Sequence, residues 1–163
     1  MKLSEFKKRY IAALPEVPKY LDLKLDNFHL YDSSLPGTTL LKRSDLEHLV
    51  TVGMPSQASP FLSFGSYSDW EYNADRYFPI AADGSGSNLC IDSGNGEVVL
   101  LDHDWGMKRV FINSSLEAFS ECLCIYQECL RDQSINNCMG LMYSAGSELY
   151  ISGEWWANEV SHS

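Results

Sequence analysis

Positive charge is scarce over most of this chain. Of its 12 Lys and Arg residues only Arg76, Lys108, Arg109 and Arg131 lie after residue 60, against 15 carboxylates there. Residues 1–60 are nearly balanced, with 8 basic and 7 acidic groups, so the net charge of −10 comes from the remainder. A surface of that sign repels phosphate backbones and anionic lipid, so neither nucleic acid nor membrane is an expected partner. It draws a basic partner and speeds encounter in a salt-dependent way, and it also serves solubility. Long apolar runs are missing as well: nowhere do about 18 apolar residues follow one another, the minimum for a membrane-spanning helix. The opening MKLSEFKKRYIAALPEV is broken by Glu5, Lys7, Lys8 and Arg9 and is unlike a signal peptide, which predicts a cytoplasmic protein.

The usual signatures of catalysis are absent too. Ser63-Phe64-Gly65-Ser66 lacks the G-x-S-x-G elbow of a nucleophilic serine. Asp83-Gly84-Ser85-Gly86-Ser87-Asn88 has neither the lysine and following helix of a phosphate loop nor the acidic offsets of a calcium loop, and reads as a tight hairpin loop. Cys90, Cys122, Cys124, Cys129 and Cys138 form no C-x-x-C pair and have no neighbouring histidine to complete a zinc site. Their odd number, without a secretory signal, points to reduced thiols acting as small core residues. His29 and His48 fall in segments that read as surface, and His162 in a tail expected to fray. Only Asp102-His103-Asp104 gathers a base and carboxylates in sequence. In a strand, neighbours point to opposite faces, so these three converge only if a loop intervenes; at the Trp105-Gly106 turn they read as a solvated strand terminus. No catalytic, cofactor or metal site is therefore expected.

What remains is a globular pattern. The 163 residues are 45% hydrophobic, enough for one core, and predict a single domain over 1–163. Ser4 begins a helix to about Leu14, stopped by Pro15 and Pro18. Leu21, Leu23 and Leu25 alternate with charges as an edge strand does, with Phe28 and Leu30 as its continuation. Pro36-Gly37 marks a turn. A short helix starts at Ser44 or Asp45, with Gly53 as its left-handed cap and Pro55 preventing resumption. Strands are expected near 61–66, 76–82, 87–92 and 97–103, the last two joined by a hairpin over Ser93-Gly94-Asn95-Gly96. Ser114 with Glu117 forms a capping box for a helix whose Leu116, Phe119, Leu123, Tyr126 and Leu130 share one face. Met139 to Met142 read as a short helix or strand, Leu149 and Ile151 as a short strand, and Glu154 to Ala157 as a last helical turn or two. Adjacent side chains on a helix diverge, so one of Trp155 and Trp156 is expected to pack while the other stays partly open, as an anchor for a partner or a second copy. Helices, a meander of strands and then helices describe an α+β fold.

Three stretches carry a family resemblance. They are Val52-Gly53-Met54-Pro55 followed by Pro60-Phe61-Leu62-Ser63-Phe64; YFPIAADGSGSNLCID followed by GEVVLLDHDW; and VFINSSLEAF. In that order, over roughly residues 45–130, the chain resembles the SUKH superfamily of immunity proteins and is most similar to its fourth branch. The resemblance implies a single α+β domain with a curved, mostly antiparallel sheet flanked by helices. It also implies a non-enzymatic role: binding and neutralising a cognate polymorphic toxin domain, commonly a nuclease, of the kind used in contact-dependent competition. A basic nuclease-type toxin gives the acidic part of the chain a purpose, because carboxylates can stand in for phosphates. Asp69, Trp70, Glu71, Asp102 and Asp104 are the expected partner contacts, aromatic anchors among carboxylates, in a monomer or homodimer. A regulatory or scaffold module of the same fold that recognises a host protein, and a small hydrolase or metal-dependent enzyme using the Asp102–Asp104 corner or a cysteine, are the competing readings.

Overall fold

The computed structural model describes residues 1–67, 73, 75–145 and 154–163. Helix α1, Leu3–Ala12, begins where the Glu5 carboxylate accepts the Lys2 backbone N–H at 3.0 Å, and it ends short of Pro15. Its Phe6 and Tyr10, one turn apart, are fully buried. The leucine alternation at 21–25 forms no strand: Leu21 and Leu23 are exposed, and strand β1 is only Phe28–His29, paired antiparallel with β2, Met54–Pro55. Alternation marks a strand only where another strand offers its backbone, and here that holds for two residues. Helix α2, Arg43–Thr51, lies between them and buries His48, which is not the surface residue its segment suggested. Gly53 ends α2 at φ +79°, its N–H donating to the His48 carbonyl at 2.8 Å. A Cβ at this position would fall 1.9 Å from the His29 carbonyl oxygen, so only glycine lets β2 reach β1.

The main sheet is a meander of six described strands: β3 (Gln57–Ala58), β4 (Leu62–Phe64), β5 (Tyr77–Ala82), β6 (Asn88–Asp92), β7 (Val98–Asp102) and β8 (Lys108–Asn113). Each is antiparallel to the next. Register shifts at Pro79/Ala81 and at Val98/Val99 mark bulges, which bend the strands that carry them. The hairpin over 93–96 is present, with Gly96 at φ +81° donating to the Asp92 carbonyl at 2.7 Å. β8 is an addition to the expected strands; KRVFIN reads in sequence as the run-up to the long helix.

That helix, α3 (Leu116–Arg131), is capped by Ser115, whose hydroxyl accepts the Ala118 N–H at 3.0 Å, so the cap sits one residue later than the Ser114–Glu117 box. Its buried Phe119, Leu123 and Tyr126 belong to the same core as α1 and one face of the sheet, where Ile80, Leu89, Ile91, Leu100 and Ile112 also lie. Bidentate bonds from Arg9 to Glu128, at 2.7 and 3.1 Å, hold α1 to α3. A smaller cluster of Cys90, Val99 and Leu101, with Tyr77 and Met107, forms apart from this core. All five cysteines are free and buried. Helix α4 (Cys138–Ser144) settles the Met139–Met142 segment as helical, and helix α5 (Glu154–Ser161) follows. Leu149 and Ile151 lie outside the described residues. No helix among the described residues is long and apolar enough to cross a membrane.

Trp155 and Trp156 are both buried, contrary to the expected split, because α5 packs against β8 and against α4, so two of its sides are covered. Their rings meet edge to face at 4.8 Å, and the Trp156 indole N–H donates to Asn113 Oδ1 at 2.8 Å. Trp156→Ala is expected to cost about 3–5 kcal/mol of unfolding free energy, the range for a large aromatic removed from a core. Trp156→Phe is expected to cost about 1–3 kcal/mol, because it leaves a buried carbonyl oxygen without its donor. Denaturant titration of both variants measures the difference.

Candidate functional site

The meander places alternate turns at opposite ends of the sheet. The turns at residues 83–87 and 103–107 share one end, together with Phe61 just ahead of β4; the turn at 93–96 lies at the other. At the first end β7 stops at Asp102, whose Oδ1 accepts the Asp104 N–H at 3.1 Å and closes a 3-10 turn over His103–Trp105. Gly106 and Met107 follow at φ +63° and +62°, and the Met107 N–H returns to the Asp102 carbonyl at 2.8 Å. Trp105 is left 75% exposed. Sequence reasoning passed it over because a tryptophan beside a turn glycine reads equally well as core; the acidic residues on its N-terminal side were the available signal.

The 3-10 turn is the loop that Asp102, His103 and Asp104 need in order to converge: their ligating atoms lie within 4.8 Å of one another. The turn's own bonds account for the arrangement. The Ser87 hydroxyl accepts the His103 backbone N–H at 3.2 Å and meets His103 Nδ1 at 2.8 Å, while Nε2 lies 3.2 Å from Asp104. With Nδ1 accepting the serine proton, Nε2 carries hydrogen and donates to Asp104. The imidazole thus ties the 83–87 turn to the 103–107 turn. Lys108 stands opposite Asp102 in the strand register, so the corner also holds a cation. Of the expected contacts, Asp102 and Asp104 are brought together here, with Asp104 exposed; Asp69, Trp70 and Glu71 lie outside the described residues.

On the 83–87 turn, Asp83 Oδ1 accepts from the Ser85 N–H, the Ser85 hydroxyl and the Ser87 N–H, the hairpin loop foreseen for this segment. Glu159 of α5 lines the same cleft as Asp83 and Phe61. Burial, and then the Asp83 charge, push the Glu159 carboxyl above its ordinary range. Asp83 figured in the sequence only as the start of a hairpin loop, and Glu159 was not singled out, since residue 159 reaches this end only through the docking of α5. Burial pushes the Cys90, Cys122 and Cys124 thiols up to about 12, so these three are held as thiols and not as the thiolate a nucleophile needs.

The other dense charge cluster is internally paired. Fully buried Asp92 accepts from Arg76 Nε at 3.0 Å and Arg76 Nη2 at 2.9 Å, from Arg109 Nη2 at 2.9 Å, and from the Gly94 N–H at 2.9 Å. Arg109 also reaches Glu97 at 2.5 Å. Burial alone would raise the Asp92 carboxyl, but the two guanidinium groups and the Gly94 N–H outweigh it and hold the group at about 2. A carboxylate depressed on folding adds stability above its unfolded value of 3.8 and loses it as pH falls toward about 2. Acid titration of stability is therefore expected to show a loss between about pH 4 and 2 that Asp92→Asn abolishes, at a cost near neutrality of about 2 kcal/mol.

Compared with known protein families, the chain matches the model of the SUKH-4 immunity protein family over residues 29–134. No curated protein and no solved structure matches the chain. The aligned span runs from β1 through α3, takes in every strand of the meander, and starts further toward the N-terminus than the stretches that carried the resemblance. The fold agrees with what that resemblance implied, an α+β arrangement with helices against an antiparallel sheet. The chain belongs to the SUKH-4 immunity protein family.

Proposed function

We propose that this protein binds one cognate basic, nuclease-type toxin in the cytoplasm and neutralises it, using the sheet end that carries Asp102, Asp104 and Trp105. Membership of an immunity protein family supplies the class of partner. The observation that carries the site is Trp105, 75% exposed and set among carboxylates on a turn braced by its own hydrogen bonds. A backbone already held in its turn has little left to order on docking, and flanking carboxylates steer a cationic surface toward the exposed ring. Asp69, Trp70 and Glu71 belong to the proposal as contacts read from sequence. The protein acts here by occupying a surface of the toxin and needs no chemistry of its own, in keeping with thiols that burial leaves unactivated.

The test is capture of the tagged protein from cells that make the toxin, followed by kinetics with the purified toxin. A 1:1 complex that suppresses nuclease activity is expected. Trp105→Ala should weaken it by about 30-fold, the effect of losing an aromatic anchor worth about 2 kcal/mol. Reversal of Asp69, Glu71, Asp102 and Asp104 to lysine should slow association by at least about tenfold at low salt and flatten its salt dependence. Unchanged association rate and affinity in both variants would reject this surface. Capture of a protein with no toxic activity, reproducibly at 1:1, would instead favour a regulatory or scaffold role.

A further inference from the structure

Phe61 is 80% exposed and sits at φ +57°, in the left-handed region that costs any residue with a Cβ. Local strain of this kind persists only where the surrounding structure imposes it, and here the exposed ring itself returns little packing energy. Three depressions meet at the ring. One, of about 320 Å³, runs toward Tyr10, Leu14 and Leu25. A second, of about 230 Å³, is walled by Tyr126, Leu130 and Glu159. The third, of about 420 Å³, is bounded by Asp83, Gly84 and Glu159. Gly84 allows the turn to come this near: a Cβ there would stand 3.2 Å from that of Phe61.

The groove is apolar at one end and anionic at the other. The Glu159 carboxylate has no hydrogen-bond partner among the described residues, though it is partly buried. Asp83 satisfies Oδ1 within its own turn and leaves Oδ2 without a partner among the same residues. The Asp83 charge adds to the cost of ionising Glu159, and that cost falls when a cation enters between them. His162, which lines the second depression, offsets part of the rise at the Glu159 carboxyl.

We propose that the groove across Phe61 binds an extended peptide segment, seating an apolar side chain against the Phe61 ring and an arginine or lysine between Asp83 and Glu159. The aromatic face and the two carboxylates then share the cation. The proposal rests on the toxin-binding reading only for the source of the segment, which would be a basic, extended stretch of the toxin. The groove lies beside the Trp105 corner at the same end of the sheet, so one partner can engage both.

The probe is the blocked tetrapeptide acetyl-Leu-Ala-Arg-Leu-amide, titrated into the nitrogen-15-labelled full chain, with acetyl-Leu-Ala-Glu-Leu-amide as its counterpart. Saturable amide shifts are expected at Phe61, Leu62, Gly84, Ser85 and Glu159 with the arginine peptide, at least about tenfold weaker with the glutamate peptide. Phe61→Gly separates binding from folding, because glycine takes the left-handed conformation without penalty. Its thermal midpoint should be no lower than the parent's while peptide affinity falls at least about tenfold, and Glu159→Gln should weaken the arginine peptide alone. Equal binding of the two peptides, shifts confined to other regions, or full affinity in Phe61→Gly would overturn the proposal. Because the probe is synthetic, such a failure leaves the toxin reading standing. A toxin complex indifferent to Phe61→Gly and Glu159→Gln would remove the groove alone.

Discussion

The side chain of Asn113 is the polar centre on which the arrangement turns. It is fully buried at the end of β8, accepts the Trp156 indole N–H on its oxygen and points its amide nitrogen at Cys122 Sγ, 3.5 Å away. An amide in such a place is tolerable only while its bonds are made, so it specifies one docking of α5 against β8 and α3. Phe119 and Tyr126 then close on Trp156, each with ring centroids 6.0 Å away. The position of Glu159 beside Asp83 follows, since it lies on the same short helix three residues after Trp156. A core hydrogen bond thus sets the geometry of a surface groove.

Charge follows a similar division between inside and outside. Of the four cations after residue 60, Arg76 and Arg109 are committed to Asp92 and Glu97, and Arg131 to its neighbour Asp132. The carboxylates that these arginines do not reach include Asp83, Asp102, Asp104 and Glu159, all at one end of the sheet with Phe61 and Trp105. Fixed carboxylates beside exposed aromatic rings are the two components expected of a surface that meets a basic protein: one accelerates encounter, the other slows departure.

Local patterns wrote much of this fold plainly and left the rest to tertiary context. The hairpin over 93–96 was legible because apolar runs flank a turn that glycine and asparagine can make, and α3 because five apolar residues recur at helical spacing. The leucines at 21, 23 and 25 misled, since alternation records a side-chain pattern and not the presence of a pairing strand. The cap of α3 fell one residue late because two adjacent serines offer the same hydroxyl, and only backbone geometry chooses Ser115. Trp155 and Trp156 misled in the opposite sense: helical divergence predicts one open side unless neighbours cover two, as β8 and α4 do. For the site, Asp102 and Asp104 stood out through their charge, whereas Phe61 is an apolar letter in an apolar run and Trp105 an aromatic beside a turn glycine. Their exposure comes from left-handed backbone at or next to them, which residue type alone does not announce.

Every pairing in the six-strand sheet joins strands adjacent along the chain. Each therefore forms by closing one connection at a time, without waiting for distant segments to meet. Sheets wired in this order assemble faster than those with crossed connections of similar size. The turns at 83–87 and 103–107, which join neighbouring strands, therefore take shape from contacts close in sequence, whereas Glu159 reaches the same end only once α5 has docked through Trp156 onto the distant Asn113.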